Sequence, residues 1–571
     1  MDGRMARIAE DIAQRYGVED ALARIAAGRG IDADSVDSYL VPALRDLMPD
    51  PATITDLLAG SKRLKQAVDA GESVAIFGDY DVDGAASCAL LYRFLTRLGI
   101  SSEIYIPDRI REGYGPNRAA IGELAARHDL IVCVDCGTNS ADALGVARDA
   151  NCDVVIIDHH QVGGALPEAR AVINPNREDD LSGLGYLCAA GVVFMVLVDL
   201  VRQLRLAGQT ELPDLLASLD LVALATVCDV VPLTGLNRAF VKKGLVVARR
   251  MDNAGMRALA HAARLAGPIN AHHFGFLLGP RINAGGRIGD AALGARLLCT
   301  DDKSEATHIA EELDRLNRER QAAEAVMLEE AKALAEKESQ SSNPPSIFVT
   351  ASESWHPGIV GLLASRLKDA FQKPAFAIAI GTDGTGTGSA RSISGLDVGK
   401  LVRAAVDEGL AIKGGGHAMA AGITIEVGKL PALRAYFESQ CADAVRTLVD
   451  QQTVKIDAAI TAGAINGDLL DLLEMAGPFG AGNASPIFVL PSHRILAVRP
   501  VGAGQHLRVN LASSQGATID AMAFGATGSD LGQFLARNEK NVVHVAGTVS
   551  PNTWQGQKRA QLRIIDAAMI V

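Results

Sequence analysis

Phe77-Gly-Asp-Tyr-Asp-Val-Asp-Gly84, entered through the apolar run Val74-Ala-Ile76, is the stretch whose reading decides the fold. The run reads as a short buried strand. Asp79, Asp81 and Asp83 then fall at every second position, and on an extended segment that period puts all three carboxylates on one side. Gly78 and Gly84 let the backbone turn there without a side-chain clash. Ala85–Leu98 reads as a helix with Ser87 on its first turn. Acids at a strand-to-helix corner sit where open α/β sheets bind ligands. An acidic surface turn would look the same in isolation, but three further strands also end in polar residues.

Outward from this corner, Ser73 to about Pro175 alternates strand and helix, the pattern of a parallel sheet covered on both faces. The expected strands are Val74–Phe77, Glu103–Ile106, Leu130–Val134, Val154–Ile157 and Ala171–Ile173. The second runs into Pro107-Asp-Arg109 and Glu112-Gly-Tyr-Gly115, the third into Asp135-Cys-Gly137, the fourth into Asp158-His159-His160. Carboxyl ends of neighbouring parallel strands share one sheet edge, so these residues can converge. Residues 185–250 read as mostly helical, and Asp229 closes the apolar run Ala223-Leu-Ala-Thr-Val-Cys228. A helix C-terminus is a poor place for an anion, and a nearby cation would account for it.

Asp81, Asp83, Asp135, Asp158 and Asp229, with His159 and His160, would therefore crowd one edge. Two carboxylates about 4 Å apart repel by roughly 4 kcal/mol at an effective dielectric near 20. Several such pairs stay ionised only beside cations. Carboxylates with few imidazoles and no thiolate suit Mn²⁺ or Mg²⁺ better than structural zinc. A bridging carboxylate such as Asp135 would allow two ions about 3.5–4 Å apart, which activate water and stabilise both attacking and leaving oxygens of a phosphoryl group. Arg109, Arg281 and Arg391 complement an anionic substrate. The residues alone thus point to metal-dependent phosphoester hydrolysis.

The rest of the chain reads as support for that edge. At 571 residues it should hold three or four domains. Gly279-Pro-Arg281-Ile-Asn-Ala-Gly-Gly-Arg287 reads as a Gly-rich loop that brings guanidinium groups onto phosphate. Lys303–Lys337 reads as a connecting helix with an apolar seam of Leu313, Leu316, Ala323, Met327 and Leu334. A second α/β unit follows, with strands Ile347–Thr350 and Ala375–Ile380 around a helix at Gly358–Phe371. A Gly/Thr-rich turn, Gly381 to Gly388, leads to Ser389-Ala-Arg391, and three glycines precede His417, which is either a core residue or a ligand-facing one. After about 451, short alternating runs suggest a small β-barrel. Between Arg494 and Arg563 eight Lys and Arg face three Asp and Glu, a net +5 that suits a single-strand-binding groove. Trp554 either fills the barrel or stacks on a base.

The net charge of −12 argues against a chain that coats nucleic acid over its whole surface, and leaves room for a local basic groove. No run of about 18 apolar residues predicts a membrane span, and the N-terminus lacks the basic-then-apolar pattern of a secretory signal. Eight scattered cysteines fit a reducing cytoplasm. Cys133 and Cys136 form a lone C-x-x-C, but Cys133 lies inside an apolar strand, so the pair is better read as packed thiols than as a zinc or redox site.

Gly78-Asp-Tyr-Asp-Val-Asp-Gly84, Val134-Asp-Cys-Gly137 and Asp158-His-His160 resemble the DHH phosphoesterase superfamily. Gly279–Arg287, Trp355-His-Pro-Gly-Ile-Val-Gly361, Gly388-Ser-Ala-Arg-Ser-Ile393, Gly416–Gly422, Pro478-Phe-Gly-Ala-Gly-Asn483 and Trp554-Gln-Gly556 extend the resemblance, in order, to its RecJ exonuclease family. The resemblance implies an α/β chain: a parallel-sheet DHH domain and a second α/β, DHH-associated domain joined by a long helix, then a C-terminal OB-fold barrel. The implied boundaries are an N-terminal helical segment (1–50), DHH domain (51–290), connecting helices (291–345), DHH-associated domain (346–450) and OB-fold (451–571). It implies 5′-to-3′ degradation of single-stranded DNA to 5′-mononucleotides in repair and recombination, with two Mn²⁺ or Mg²⁺ ions. Asp81, Asp83, Asp135, His159 and Asp229 would be metal ligands, and His160 and Asp158 would orient substrate. Arg109, Arg281, Ser389 and Arg391 would hold the 5′-terminal phosphate, with His417 near the scissile bond. Some relatives carry a histidine ligand where this chain has Phe77, so Asp79 or water would complete that ion's shell. A RecQ-type helicase and a single-stranded-DNA-binding protein are the implied partners, and a cytoplasmic monomer the implied state. The rival readings are an oligoribonuclease or 3′-phosphoadenosine 5′-phosphate phosphatase, which the basic barrel disfavours, and a non-enzymatic scaffold, which the nearly complete ligand set disfavours. Deleting residues after about 480 is expected to weaken binding to long single strands more than attack on short ones.

Overall fold

Five parallel strands in the order β2-β1-β3-β4-β5 carry the carboxylate-rich edge. They are β1 Val74–Phe77, β2 Ser102–Tyr105, β3 Leu130–Val134, β4 Asp153–Ile157 and β5 Ala171–Ile173, as the alternation predicts to within a residue. The computed structural model describes residues 3–108, 112–113, 115–451, 453–554 and 557–570. Arg109 lies outside the described residues, as do the side chains of Trp554 and Lys558. The chain forms two compact units. One comprises Met1–Gly279, Ala295–Ala306 and Lys455–Val571, the other Pro280–Gly294 and Thr307–Val454.

In the first unit, β1, β3 and β4 are buried over almost their whole length because helices cover both faces. Phe77 is fully buried and stacks on Tyr105, with ring centroids 5.4 Å apart. Cys133 and Cys136 are buried thiols in the same core. The helix after β1 begins at Val82, three residues earlier than expected. The aspartate triplet is therefore not one extended segment: Asp81 is the helix N-cap and Asp83 lies in its first turn. Gly84 is needed for closeness, since a Cβ there would sit 2.4 Å from the Asp79 carbonyl oxygen.

The C-terminal strands close a barrel. They are β12 Ile487–Val501, β13 His506–Ala512, β14 Thr518–Ala523, β15 Val542–Trp554 and β16 Gln557–Met569, with the helix Asp530–Arg537 between β14 and β15. The order β12-β13-β14-β16-β15 returns to β12 through a β12–β15 pairing, and within this circuit only β14–β16 is parallel. That is the connectivity of an OB-fold. The N-terminal helices Gly3–Tyr16, Asp20–Gly28 and Val36–Leu40 share one apolar core with this barrel: Ile12, Leu22 and Ile25 belong to the same cluster as Phe488, Ile495 and Val543. Arg29 ties the two ends polar to polar, donating to Asp457 at 2.6 Å while Asp457 accepts from the Ile487 amide at 2.8 Å.

Arg238 fastens that assembly to the sheet unit. It is 2% exposed, and its guanidinium lies 4.1 Å from the centroid of the Tyr39 ring. It donates to the carbonyls of Tyr39 (2.6 Å) and Ala476 (2.9 Å), which lie at the ends of two helices. Burial lowers its pKa to about 10, so it stays charged at neutral pH. Arg238→Ala would strand these carbonyls, and the expected loss is about 3 kcal/mol of unfolding free energy. Arg238→Met, which keeps the volume, should lose most of the same amount in a denaturant titration. A midpoint unchanged in both variants would contradict the clamp.

In the second unit the sheet order is β6-β7-β8-β10-β9, with β6–β7 parallel and the other pairs antiparallel. These strands are β6 Phe348–Ser352, β7 Ala375–Ile380, β8 Thr385–Arg391, β9 Lys413–Gly416 and β10 Ala420–Glu426; the two-residue β11, Ala458–Ala459, belongs to the barrel sheet. Two expectations fail here for one reason. The Gly-rich stretch after Gly279 is not a loop but the helix Gly279–Ile288. A Cβ on Gly289, just past its end, would lie 2.6 Å from the side chain of Leu316 on the long helix. Gly386 and Gly388 are likewise not turn residues but members of β8, where added Cβ atoms would meet Ile378 at 2.8 and 2.7 Å. In both places glycine marks close packing rather than a bend. The connecting helix is Lys303–Ser339, and its seam runs through Met327, Ala331 and Ala335 rather than through Leu334, which is 36% exposed.

Candidate metal centre

The acidic edge is built from five chain segments of the first unit. Asp79 follows β1 and is buried. Asp81 caps the next helix, one oxygen accepting from the amides of Asp83 (2.9 Å) and Gly84 (3.1 Å). Asp83 is 1% exposed, and its carboxylate accepts from the amides of Ala189 (2.6 Å) and Ala190 (2.8 Å) at the start of the helix Ala189–Leu206. A helix N-terminus thus carries part of its charge. Asp135 follows β3 in a left-handed conformation, φ 60°, which is uncommon for a non-glycine residue. Asp229 is the C-cap of the helix Leu219–Cys228, as the apolar run before it suggests.

His159 stands at the centre. Its Nε2 is 3.3 Å from Asp135, 3.7 Å from Asp83 and 3.8 Å from Asp229. Three overlapping groups have ligand atoms within 4.8 Å of one another: Asp79, Asp81 and Asp135; Asp83, His159 and Asp229; and Asp135, His159 and His160. Asp135 and His159 each belong to two of them. Burial, and then the neighbouring carboxylates, push Asp135 and Asp229 well above the ordinary carboxylate range. Burial also raises Asp83, against the pull of His159. One oxygen of Asp135 is buried without a hydrogen-bond partner. A hard cation answers all of this at once: it takes the orphaned oxygen and offsets the repulsion. The donor set therefore fits divalent ions.

Asp158 plays a different part. It accepts from the amides of His159 (2.7 Å) and Thr138 (3.0 Å) and from His160 Nδ1 (2.7 Å). Burial works against its ionisation, but the bonds from His160 and Thr138 hold it well below the ordinary range. His160 responds in kind: against its burial, Asp158 raises its pKa to about 9. Asn174 Nδ2 donates to Thr138 (3.0 Å) and to the His160 carbonyl (2.8 Å), and Asn176 Nδ2 to the His159 carbonyl (2.5 Å). Sequence reasoning missed Thr138, Asn174 and Asn176. The signal was present, because Asn174-Pro-Asn176 follows the fifth strand as the acids follow the first, third and fourth.

Arg281, Ser389, Arg391 and His417 lie in the second unit. Arg391 ends β8 and donates to Ser389 Oγ at 2.9 Å. A Cβ added to Gly361 would meet Arg391 at 3.2 Å and Ser389 at 3.3 Å, so both side chains sit against the first turn of the helix Val360–Phe371. Arg281 is ion-paired with Asp314 at 2.9 Å. His417 lies exposed at the tip of the β9–β10 hairpin, which rules out the core reading.

Comparison with known proteins agrees with this architecture. The DHH family N-terminal domain matches residues 73–226, the DHHA1 domain residues 345–443 and the RecJ OB domain residues 456–566. The single-stranded-DNA-specific exonuclease RecJ of Escherichia coli (strain K12) is 35% identical over 517 residues, 88% of each chain. The protein of that name from Bacillus subtilis (strain 168) is 32% identical over 98% of this chain and 69% of its own length. The crystal structure of RecJ from Thermus thermophilus in complex with Mn²⁺ superposes with a TM-score of 0.81 at 29% identity, covering 99% of this chain and 78% of that one. The chain belongs to the RecJ family of exonucleases, within the DHH phosphoesterases.

Proposed function

We propose that the chain is a divalent-metal-dependent exonuclease that hydrolyses single-stranded DNA from the 5′ end to 5′-mononucleotides, in DNA repair and recombination. Asp135 carries the reading: a buried carboxylate with an orphaned oxygen, common to two groups of potential ligands. Asp79, Asp81 and Asp135 would hold one ion, and Asp83, His159 and Asp229 the second. When bound, the Mn²⁺ or Mg²⁺ pair supplies water activation and charge neutralisation at the phosphate.

The chain's own residues supply position. The Ala189 and Ala190 amides fix Asp83, and Asp158 fixes the His160 ring through Nδ1. His160, its ring held through Nδ1 by Asp158, donates to a substrate phosphate oxygen from its opposite ring nitrogen. Arg391 and Ser389, at a helix N-terminus whose amides favour anions, take the 5′-terminal phosphate. Arg109 and Arg281 add charge, the latter partly offset by Asp314, and His417 approaches the strand near the scissile bond. A RecQ-type helicase and a single-stranded-DNA-binding protein are the partners such an activity calls for, and the working state is a monomer. The basic OB barrel favours this reading over a small-substrate phosphatase or oligoribonuclease.

The phosphate assignment has its own test. Losing one charge-assisted contact costs about 1.5–3 kcal/mol, so Arg391→Ala should raise KM for a 5′-phosphorylated strand roughly 10- to 100-fold. A 5′-hydroxyl strand should respond far less. Equal effects on both strands would remove Arg391 from phosphate recognition.

A further inference from the structure

Asp229 is aimed by its backbone. Asp81 accepts from backbone amides, as does Asp83. Among the described residues no hydrogen bond fixes the Asp229 carboxylate, which lies 3.8 Å from His159 Nε2. The next residue, Val230, turns the chain in a left-handed conformation, φ 59°. A helix that stops this way usually carries glycine or asparagine there, and a β-branched residue is strained. Val230 is 68% exposed, so the packing of its own side chain does not hold it. Such strain persists only where the surroundings enforce it. The enforcing contacts come from further along the segment. The Leu233 amide donates to the Ala481 carbonyl at 2.8 Å, and the Pro232 carbonyl accepts from Asn237 Nδ2 at 3.0 Å. Ala481 belongs to the turn at residues 478–483, between the helix Gly467–Ala476 and β12. That turn approaches closely: a Cβ on Gly480 would sit 2.8 Å from Leu233 Cδ1, and one on Gly482 2.9 Å from Pro232 Cβ. Asn483, 1% exposed, keeps its shape. It donates from Nδ2 to the carbonyls of Ala476 (3.1 Å) and Pro478 (2.8 Å) and accepts from the Tyr39 hydroxyl at 3.2 Å.

We propose that the turn at residues 478–483 positions Asp229 for metal: through Leu233 and Pro232 it holds the strained backbone that aims this carboxylate, and so sets the affinity of one ion position and not the other. The proposal rests on the two-ion reading above. Asp229 belongs to the group with Asp83 and His159, whereas the group of Asp79, Asp81 and Asp135 contains no residue of this segment. The turn carries no acid, imidazole or thiol, so it acts on the ion through Asp229. Gly480, Gly482 and Asn483 are therefore positioning residues. Groups that orient a metal ligand are worth about 10- to 100-fold in metal affinity.

The test is calorimetric titration of the full chain with Mn²⁺, with melting in chelator measured beside it. The unsubstituted chain should bind two ions. Gly482→Ala, which presses on Pro232, should weaken one of them roughly tenfold and leave the other unchanged. Gly480→Ala should do the same through Leu233. Adding Leu233→Val to Gly480→Ala removes the clashing methyl and should regain most of the loss. Turnover of a single strand at limiting Mn²⁺ should fall with that affinity and recover in excess Mn²⁺, with KM for the strand unmoved. Equal weakening of both ions would overturn the positioning role, as would a lower melting temperature in chelator with both ion affinities intact. If the ions respond selectively and even the unsubstituted chain cuts no DNA, the exonuclease reading falls and the positioning role stands.

Discussion

Asp135→Asn should leave a folded chain with at least a thousandfold less hydrolysis, and one that melts a few degrees higher than the unsubstituted chain in chelator. Both effects come from one carboxylate. Asp135 belongs to two groups of potential ligands, so neutralising it weakens both ion positions. Lewis-acid and positioning effects are worth several kcal/mol, and each 1.36 kcal/mol is about a factor of ten in rate. Without ions the same charge is a liability. It is 1% exposed and faces Asp83, Asp81 and Asp79, which together with burial oppose its ionisation. Removing it relieves that repulsion, while adding Mn²⁺ should raise the melting temperature of the unsubstituted chain and hardly move the variant's. Near-normal turnover in Asp135→Asn would end the shared-ligand assignment. A lower melting temperature in chelator would end the electrostatic account.

Truncation after residue 480 should disrupt the N-terminal helices, not merely remove a strand-binding platform. The sequence suggests a separable C-terminal module, whose loss spares short substrates. The fold says otherwise, because Ile12, Leu22 and Ile25 share a core with Phe488, Leu490 and Ile495. Burying one such side chain contributes about 1.5–3 kcal/mol, so losing those three barrel residues alone removes on the order of 5 kcal/mol. Arg29 and Asp457 would also lose the Ile487 amide that completes their pairing. Hydrogen exchange over residues 3–40 should therefore accelerate to near-unfolded rates in the truncated chain. Protection equal to that of the full chain would show that the helices stand without the barrel.

What the sequence revealed follows from periodicity. The five strands of the first sheet were legible because each is an apolar run broken by turn residues, and the acids at their ends were legible because parallel strands share an edge. Asp229 could be found from a helix that ends on an anion. The helix start at Val82 was not, since three alternating acids imitate a strand until one sees Asp81 accepting amides as an N-cap. The helix Gly279–Ile288 was hidden by glycines that read as loop and are in fact contact points. The union of the N-terminal helices with the barrel was invisible because it joins residues more than 400 apart and leaves no local pattern. Asn174 and Asn176 were overlooked since amides carry no charge to draw attention, although they brace the backbone of both histidines.

The central claim is tested most directly with one 5′-labelled and one 3′-labelled single strand, each incubated with Mn²⁺, with Mg²⁺ and with chelator. The account predicts immediate release of labelled mononucleotide from the 5′ label, a shortening ladder from the 3′ label, and no product in chelator. Intact long strands alongside cleavage of two-to-five-nucleotide RNA, or mononucleotide released first from the 3′ label, would contradict it.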